Sequence, residues 1–391
     1  MISIVVPAYN ECGNMKPLAD RAMQALEASG EPYELIIVDD NSPDGTAEAV
    51  RELQATRPWL RLIVRTKERG LSSAVITGWD AARGDVLGCM DADLQHPPEV
   101  LSELIHVLQS SRADVVVASR HVRGGGVSDW SLIRRFVSWT ATLLATLAVP
   151  GTLAEVRDPM SGFFLLRRDV IRRASLKPRG YKILLEVLAK GDYRQAKEVP
   201  FVFQERVVGD SKIGSSVVWD YLVHLFRISL ETGEAARAAK FISVGFSGAI
   251  VNLFVYRLLV AVPGWAVWDA AAGAAALAIV NNFVWNERFT FPKTRKASPG
   301  VGPMAQRLLA FALISSIGLI LNVGVVEGLV GLLHFPWIPG VTAGIAVAGA
   351  WNFFANTNLT WKGERKGRTL AASEVSDAPA SSHEPAVEQI K

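Results

Sequence analysis

Cysteine is nearly missing from this chain: Cys12 and Cys89 are the only two in 391 residues. Neither their count nor their spacing builds a disulfide framework or a zinc site, so a reducing compartment is expected. A strong charge of either sign is also missing. Lys and Arg number 41 against 38 Asp and Glu, a formal net charge of +3, too small to favour nucleic acid as a partner. The opening MISIVVPAYNE has no basic segment ahead of its apolar one, so it reads as a strand and not as a signal peptide. Membrane-length apolar runs are missing up to about residue 240, and there the deficit ends. Residues 241–361 are mostly Ala, Val, Leu, Gly and Phe, which explains a mean hydropathy of +0.23 at an ordinary 20% of charged residues.

Residues 1–214 therefore read as an α/β domain and 215–238 as interfacial helices. Residues 239–361 read as an all-α transmembrane domain of four helices, and 362–391 as a polar, Ala/Ser/Pro-rich disordered tail. In the front part, apolar runs of strand length at 2–6, 33–38, 60–64, 85–90 and 114–118 alternate with amphipathic stretches near 14–29, 45–55, 71–83 and 98–110. That alternation predicts parallel strands joined by crossover helices. Ligands of such sheets bind beyond the carboxyl ends of the strands.

Three of those ends carry acidic or amide groups: PAYNE (7–11), DDNSPDGT (39–46) and DADLQ (91–95). Asp44 is expected to be a helix cap. Asp91 and Asp93 are two apart, so an extended backbone would point both to one face. Two like charges that close repel unless a cation intervenes. Hard carboxylate oxygens, with the Gln95 amide oxygen nearby, suit Mg2+ or Mn2+ and not zinc. Mg2+ is commonly held by one or two carboxylates together with substrate phosphates, which points to a diphosphate ligand. The alternative is a surface loop with one capping Asp. His96, beside Pro97 and Pro98, is expected to be a loop or packing residue.

The segments VVPAYNE, IIVDDNSPDGT, MDADLQHPPE, DPMSGFFLLRRDV, GYKILLE and ERVVGDSK occur in the order found in polyprenol-phosphate (dolichol-phosphate) mannose synthases. Over roughly residues 1–215 the chain resembles these family 2 glycosyltransferases. The resemblance implies a GT-A (Rossmann-like) fold and transfer of mannose from GDP-mannose to a polyprenyl phosphate. It implies that Pro7, Tyr9, Asn10, Glu11, Asp39, Asp40, Asp91 and Lys212 meet the nucleotide sugar. By the same resemblance Asp91, Asp93 and Gln95 hold the metal, Arg120, Arg134 and Ser138 hold the lipid phosphate, and Asp93, Arg120 and Arg206 are the catalytic groups.

The acceptor side has its own residue logic. Arg120 falls at a strand end, the glycines at 124–126 form a mobile stretch, and a helix then carries Arg134, Arg135 and Ser138 ahead of the apolar run 139–149. Arg134 and Ser138 are four apart and share a face. Arg meets phosphate bidentately, as Lys cannot. A cationic start on an apolar body predicts a helix lying at headgroup level; the alternative is a core helix with solvated arginines. Arg206, Asp210, Ser211 and Lys212 read as a lid over the diphosphate, with a linker to the membrane as the alternative. The DPMSG segment (158–162) is expected to meet sugar hydroxyls, and Lys182 and Glu186 either pair with each other or touch the sugar. A phosphate monoester, with a second pKa of about 6, is already largely a dianionic nucleophile. No strong base is needed, and the difficult step is departure of the diphosphate, helped by a metal and Arg206. A single in-line displacement with inversion is predicted.

In the second half, apolar spans are expected near 241–262, 266–286, 308–332 and 337–358. Trp265, Trp268, Trp285, Trp337 and Trp361 fall near their ends, as interface anchors do. Arg288, Lys293, Arg295, Lys296 and Arg307 lie between the second and third spans, and Lys362, Arg365, Lys366 and Arg368 follow the fourth. The connections 263–265 and 333–336 have no Lys or Arg, so both termini and the front domain are expected on the cytoplasmic side. NNFVWNERFTF (281–291) matches WNFFANTNLTW (351–361), and Asn252/Asn322 and Asn286/Asn356 keep the same offset. The repeat predicts two hairpins of like orientation. Its amides are expected to bond between helices, with a polar path for a headgroup as the alternative. This half resembles GtrA-like membrane domains, which implies a link to polyprenol-carried sugars. A UDP-glucose donor, a lipid-linked sugar transporter and a homo-oligomer remain open at this point.

Overall fold

The computed structural model describes residues 1–128, 131–150, 156–177, 180, 182–204 and 215–362, with backbone alone at 215–217 and 295–297. The front part opens with β1 (Ile2–Ala8), α1 (Cys12–Glu27), β2 (Tyr33–Asp39), α2 (Thr46–Gln54), β3 (Leu60–Val64), α3 (Leu71–Ala81), β4 (Val86–Cys89), α4 (Val100–Ser110) and β5 (Val115–Ser119). It continues with β6 (Gly126–Val127), α5 (Leu132–Ala148), β7 (Phe164–Arg167), α6 (Ile183–Lys190), β8 (Ala196–Pro200) and β9 (Val202–Phe203). All five strands expected from the apolar runs form. The main sheet has the order β3-β2-β1-β4-β7-β5-β8. Ile4, Val5 and Val6 of β1 are wholly buried. Helices α1 and α4 cover one face, and α3 and α6 the other, as continuous apolar strands require.

One strand departs from the expected parallel arrangement. β7 runs antiparallel to both of its neighbours, β4 and β5. A parallel strand needs a crossover that returns the chain to the opposite edge of the sheet. Here the chain reaches residue 158 already at the carboxyl edge, so it enters the sheet there and runs backward. The DPMSG segment thus lies at the same edge as the ends of the parallel strands. The pairing sets Cys89 opposite Phe164, and continuing that register by two residues sets Asp91 opposite Gly162. The expected mobile glycine stretch is also corrected. Gly126 pairs with Val202 in the β6–β9 ladder, and a Cβ on Gly125 would lie 2.5 Å from the Ser119 carbonyl oxygen.

After the strands come α7 (Ser215–Glu231) and α8 (Glu234–Val260), divided at Gly233, whose φ of 79° suits glycine. There follow α9 (Val267–Trp285), α10 (Pro292–Ala297), α11 (Val301–Val326) and α12 (Trp337–Ala355). One turn of π-helix extends α9, α11 and α12. Four stretches, Glu234–Val260, Val267–Thr290, Val301–Leu332 and Trp337–Thr360, are long and apolar enough to cross a bilayer. The shortest has 24 residues, about 36 Å of helix.

The repeat is visible in the packing. A Cβ on Gly248 would lie 2.1 Å from Asn282 Oδ1, and one on Gly318 would lie 2.7 Å from Asn352 Oδ1. The two glycine–asparagine pairs keep the repeat's offset and bring the helices of each hairpin close, as small residues do in membranes. The amides behave in two ways. Asn281 donates to Ser247 Oγ across the α8–α9 contact at 3.2 Å, whereas Asn356 donates to the Asn352 carbonyl of its own helix at 2.8 Å. Trp361 overturns its expected role as an interface anchor. It is fully buried, stacks on Phe291 at 4.3 Å, and donates its indole N–H to Glu287 Oε2 at 2.7 Å. Glu287 also accepts from Arg307 Nε at 3.1 Å. Arg307, counted above among loop charges, is therefore an internal partner that ties the end of the first hairpin to the start of the second. The other four tryptophans are exposed, from 47% at Trp265 to 85% at Trp268, as a lipid interface requires.

Candidate active site

Three loops converge at the carboxyl ends of β1, β2 and β4. Each carries one non-glycine residue in the left-handed region: Asn10 (φ 61°), Asn41 (φ 55°) and Leu94 (φ 60°). Asn tolerates this conformation, but Leu does not. The 91–96 loop is therefore held against a local cost of about 1–3 kcal/mol by its surroundings. The first two loops are laced together. Asn10 N–H donates to Ser42 Oγ, Glu11 N–H to Thr46 Oγ1 and Cys12 N–H to Asp44 Oδ2, each at 3.0 Å. Asp44 also accepts from the Thr46 N–H at 3.0 Å, so the expected cap serves the first turns of both α1 and α2.

The nucleotide set divides. Tyr9 is half-buried, Asn10 exposed and Glu11 half-buried at the open edge, while Pro7 is a buried residue of β1. Asp39 is fully buried and accepts from Ser42 N–H at 3.0 Å and from its hydroxyl. Asp40, also buried, accepts from Arg65 Nε at 2.7 Å and from Gly70 N–H at 2.7 Å. These two carboxylates of the expected nucleotide set thus bond inside the protein, where they shape the loops that form the edge. Arg69, which the sequence reading did not single out, lies over the Tyr9 ring at 5.1 Å. Its only sequence signal is the turn made by the adjoining Gly70. Arg206, Asp210, Ser211 and Lys212 lie outside the described residues.

At the β4 end the expected extended pair of aspartates is corrected. The strand stops at Cys89 and Asp93 sits in a turn. Asp93 is buried and accepts from the Gln95 N–H at 3.1 Å, while Asp91 is half-exposed. Gln95 donates its amide nitrogen to the Gln204 carbonyl at 3.1 Å. That bond assigns the nitrogen end of the amide and leaves Oε1 as the end suited to a hard cation. Gly162 backs Asp91 so closely that a Cβ there would lie 2.8 Å from Asp91 Oδ2. Among the described residues no group of three or more His, Cys, Asp or Glu converges. The set on offer is two carboxylates and one amide oxygen, which suits a Mg2+-like ion that completes its shell from a substrate. His96 packs among Phe163, Phe201 and Phe203, with ring centroids 5.3–5.5 Å apart. Burial draws its pKa down to about 4. The imidazole is neutral at pH 7, and its Nδ1, 3.4 Å from Asp91 Oδ2, makes no ion pair. The expected packing role holds.

Arg120 follows β5 directly and is nearly buried. Its Nε and Nη2 each donate to Asp158 at 2.7 Å, and its backbone N–H donates to the same carboxylate at 3.1 Å. Burial pushes the Asp158 carboxyl up, but the Arg120 hydrogen bonds outweigh it and hold the pKa below the usual value. Asp158 is 1% exposed, and its carboxylate is spent on Arg120. Lys182 does not pair with Glu186 either. Its Nζ donates to the Met160 carbonyl at 3.1 Å, and Glu186 pairs with Lys190. Burial and the neighbouring Arg120 draw the Lys182 ammonium below its ordinary pKa.

Helix α5 completes the edge. Ser131 caps it by accepting from Arg134 N–H. Leu132, Ile133, Phe136 and Trp139 are 60–82% exposed. Arg134 and Ser138 share the inner, half-buried side, and Ala145 is fully buried against Met160, Leu185, Leu225 and Ile228. On α7, Trp219 and Phe226 are 67% and 64% exposed. Both helices present apolar side chains outward, as interfacial helices do.

Residues 3–174 match the model of glycosyl transferase family 2, and the mixed sheet is that of a GT-A glycosyltransferase domain. Residues 240–361 match the GtrA/DPMS transmembrane domain, so the protein is a membrane enzyme. A dolichol-phosphate mannosyltransferase of Pyrococcus furiosus is 39% identical over 360 residues, covering 92% of this chain and 99% of the relative. Its counterpart in Saccharomyces cerevisiae is 43% identical over 233 residues, 57% of this chain and 85% of the relative. That of Mycosarcoma maydis is 41% identical over 244 residues, 59% and 80%. The chain belongs to the dolichol-phosphate mannosyltransferase family of family 2 glycosyltransferases.

Proposed function

We propose that this glycosyltransferase moves mannose from GDP-mannose to a polyprenyl phosphate with inversion, with Mg2+ or Mn2+ held by Asp91, Asp93 and Gln95. The observation that carries the reading is the order of groups along one sheet edge. The acidic turn after β4 and Arg120 after β5 flank the DPMSG segment, and the next helix bears Arg134 and Ser138 on its inner side and bare apolar residues outside. The names of the relatives support mannose and a dolichol-type acceptor. Tyr9, Asn10 and Glu11 would meet the nucleotide, and Arg206 and Lys212 the diphosphate.

A divalent ion at the aspartates would supply the positive charge that a departing diphosphate needs. Arg120 offers a phosphate only the guanidinium edge opposite Asp158. Arg134 and Ser138 orient the acceptor phosphate at the bilayer surface. That phosphate is mostly a dianion at neutral pH, so no side chain has to remove a proton from it. The buried, neutral His96 accordingly has no base role. One displacement at the sugar carbon gives inversion, and a trapped glycosyl-enzyme would refute it. The basic connection around Arg288 and Lys293 supports a cytoplasmic catalytic domain and cytoplasmic termini.

The test is transfer by the purified full chain, given polyprenyl phosphate, Mg2+ or Mn2+, and a panel of labelled nucleotide sugars. Product from GDP-mannose that disappears with EDTA and on Asp93→Ala supports the reading. Product from UDP-glucose alone overturns the donor assignment. No product with any donor returns the lipid-linked sugar transporter.

A further inference from the structure

Asp158 has no place in the chemistry described so far, yet it is among the most buried charges of the front domain. Its carboxylate takes three hydrogen bonds from one residue, Arg120. Its own backbone N–H donates to Glu198 Oε1 at 3.0 Å, and the Arg157 N–H donates to Glu198 Oε2 at 2.9 Å. Glu198 belongs to β8, the strand beyond β5. Asp158 is thus pinned from behind by the sheet and grips Arg120 in front. A free arginine side chain samples many rotamers. One whose Nε–Nη2 edge is forked onto a buried carboxylate, with the Phe203 ring 5.5 Å from its Cζ, has one orientation.

The same five residues serve the other reactant. Met160 gives its carbonyl to Lys182, and Gly162 leaves the space that the Asp91 carboxylate fills. Between β4, which delivers Asp91, and β5, which delivers Arg120, stands only β7. Two interstrand steps amount to roughly 10 Å. The segment before β7 is therefore the spacer between the metal-side carboxylate and the acceptor-side guanidinium.

We propose that Asp158 is a positioning residue. It fixes the Arg120 guanidinium toward the acceptor phosphate, and the Asp158–Gly162 segment sets the spacing between the donor and acceptor halves of the site. This rests on the functional reading above. The pair Arg120–Asp158 carries no net charge, so Asp158 weakens the general attraction of the site for phosphate while sharpening its direction. Turnover and affinity should consequently separate. A side chain that only held the fold together would lower both.

The experiment uses the full-length protein in lipid nanodiscs as wild type, Asp158→Asn and Asp158→Glu. It reads donor affinity, polyprenyl phosphate affinity by direct binding, turnover at saturating substrates, and melting temperature. Asp158→Asn should lose about 100-fold in turnover, the scale of a misplaced reacting group. Donor affinity should stay within twofold, and polyprenyl phosphate should bind as tightly as to wild type or tighter. Asp158→Glu keeps the buried charge pair and shifts the guanidinium by one methylene. It should fold and show the same split, and it carries the test if the Asn variant does not fold. Turnover within threefold of wild type in a folded variant overturns the proposal. So does a parallel loss of turnover, donor affinity and melting temperature. Wild type that binds polyprenyl phosphate but transfers no sugar to it refutes the functional reading. In that case polyprenyl phosphate binding still decides Asp158: weaker binding in both variants overturns the proposal.

Discussion

Adding a single methyl group at residue 162 should disable the enzyme without unfolding it. A Cβ at Gly162 would stand 2.8 Å from Asp91 Oδ2, 2.9 Å from Oδ1 and 3.1 Å from Cγ. Ordinary carbon–oxygen contact begins several tenths of an ångström further out, so something has to move. The backbone at 162 lies outside the left-handed region, so Gly162→Ala strains no dihedral. It also gains about 0.4–1 kcal/mol by restricting the unfolded chain. What yields is the end of the Asp91 side chain. Displacing it costs little stability but moves one of the carboxylates proposed to hold the metal. Perturbing the immediate support of a metal ligand typically costs 10–100-fold in metal affinity or activity. Gly162→Ala should therefore melt within a few degrees of wild type, lose about 10–100-fold in transfer, and recover part of that loss at high Mn2+. The assay is transfer of labelled mannose from GDP-mannose to polyprenyl phosphate across a metal titration. Activity within twofold of wild type, with an unchanged metal dependence, would refute the reasoning.

Arg134→Ala should raise the polyprenyl phosphate KM by about tenfold, the scale of one charge-assisted contact, and leave donor affinity unchanged in the same assay. Trp361→Ala removes a fully buried indole, which costs about 3–5 kcal/mol, and it leaves the buried Glu287 one donor short; thermal unfolding in detergent should show the loss. Gly248→Ala should also lower the melting temperature, because its Cβ would meet Asn282 at 2.1 Å, whereas Gly245→Ala on the same helix has nothing within 4 Å and should not.

The β-strands of residues 2–118 are readable because each is a short apolar run bounded by turn residues. The membrane spans are readable because length and hydropathy are properties of the chain itself. Asp44 as a cap and His96 as a packing residue follow from local neighbours. β7 was not readable as a backward strand, since FLLR carries no mark of direction. The direction comes from which edge of the sheet the chain has reached. Asp39 and Asp40 looked like ligand groups because they end a strand. In the structure their carboxylates also bond inside the protein, Asp39 to Ser42 three positions on and Asp40 to Arg65 just past β3 and to Gly70, pairings that no local pattern announces.

The sequence by itself determined the kinds of group present: acidic strand ends, arginines ahead of an apolar helix, and a doubled hairpin of membrane length. These are matters of composition and spacing over a few residues, and local interactions enforce them. Only the tertiary structure decided which charges pair with each other and which stand at the open edge of the sheet. Arg120 and Asp158 are 38 positions apart in the chain, and Glu287 and Trp361 are 74 apart. Contacts at that range form only once the sheet order and the helix packing have closed the chain, and no local pattern encodes them.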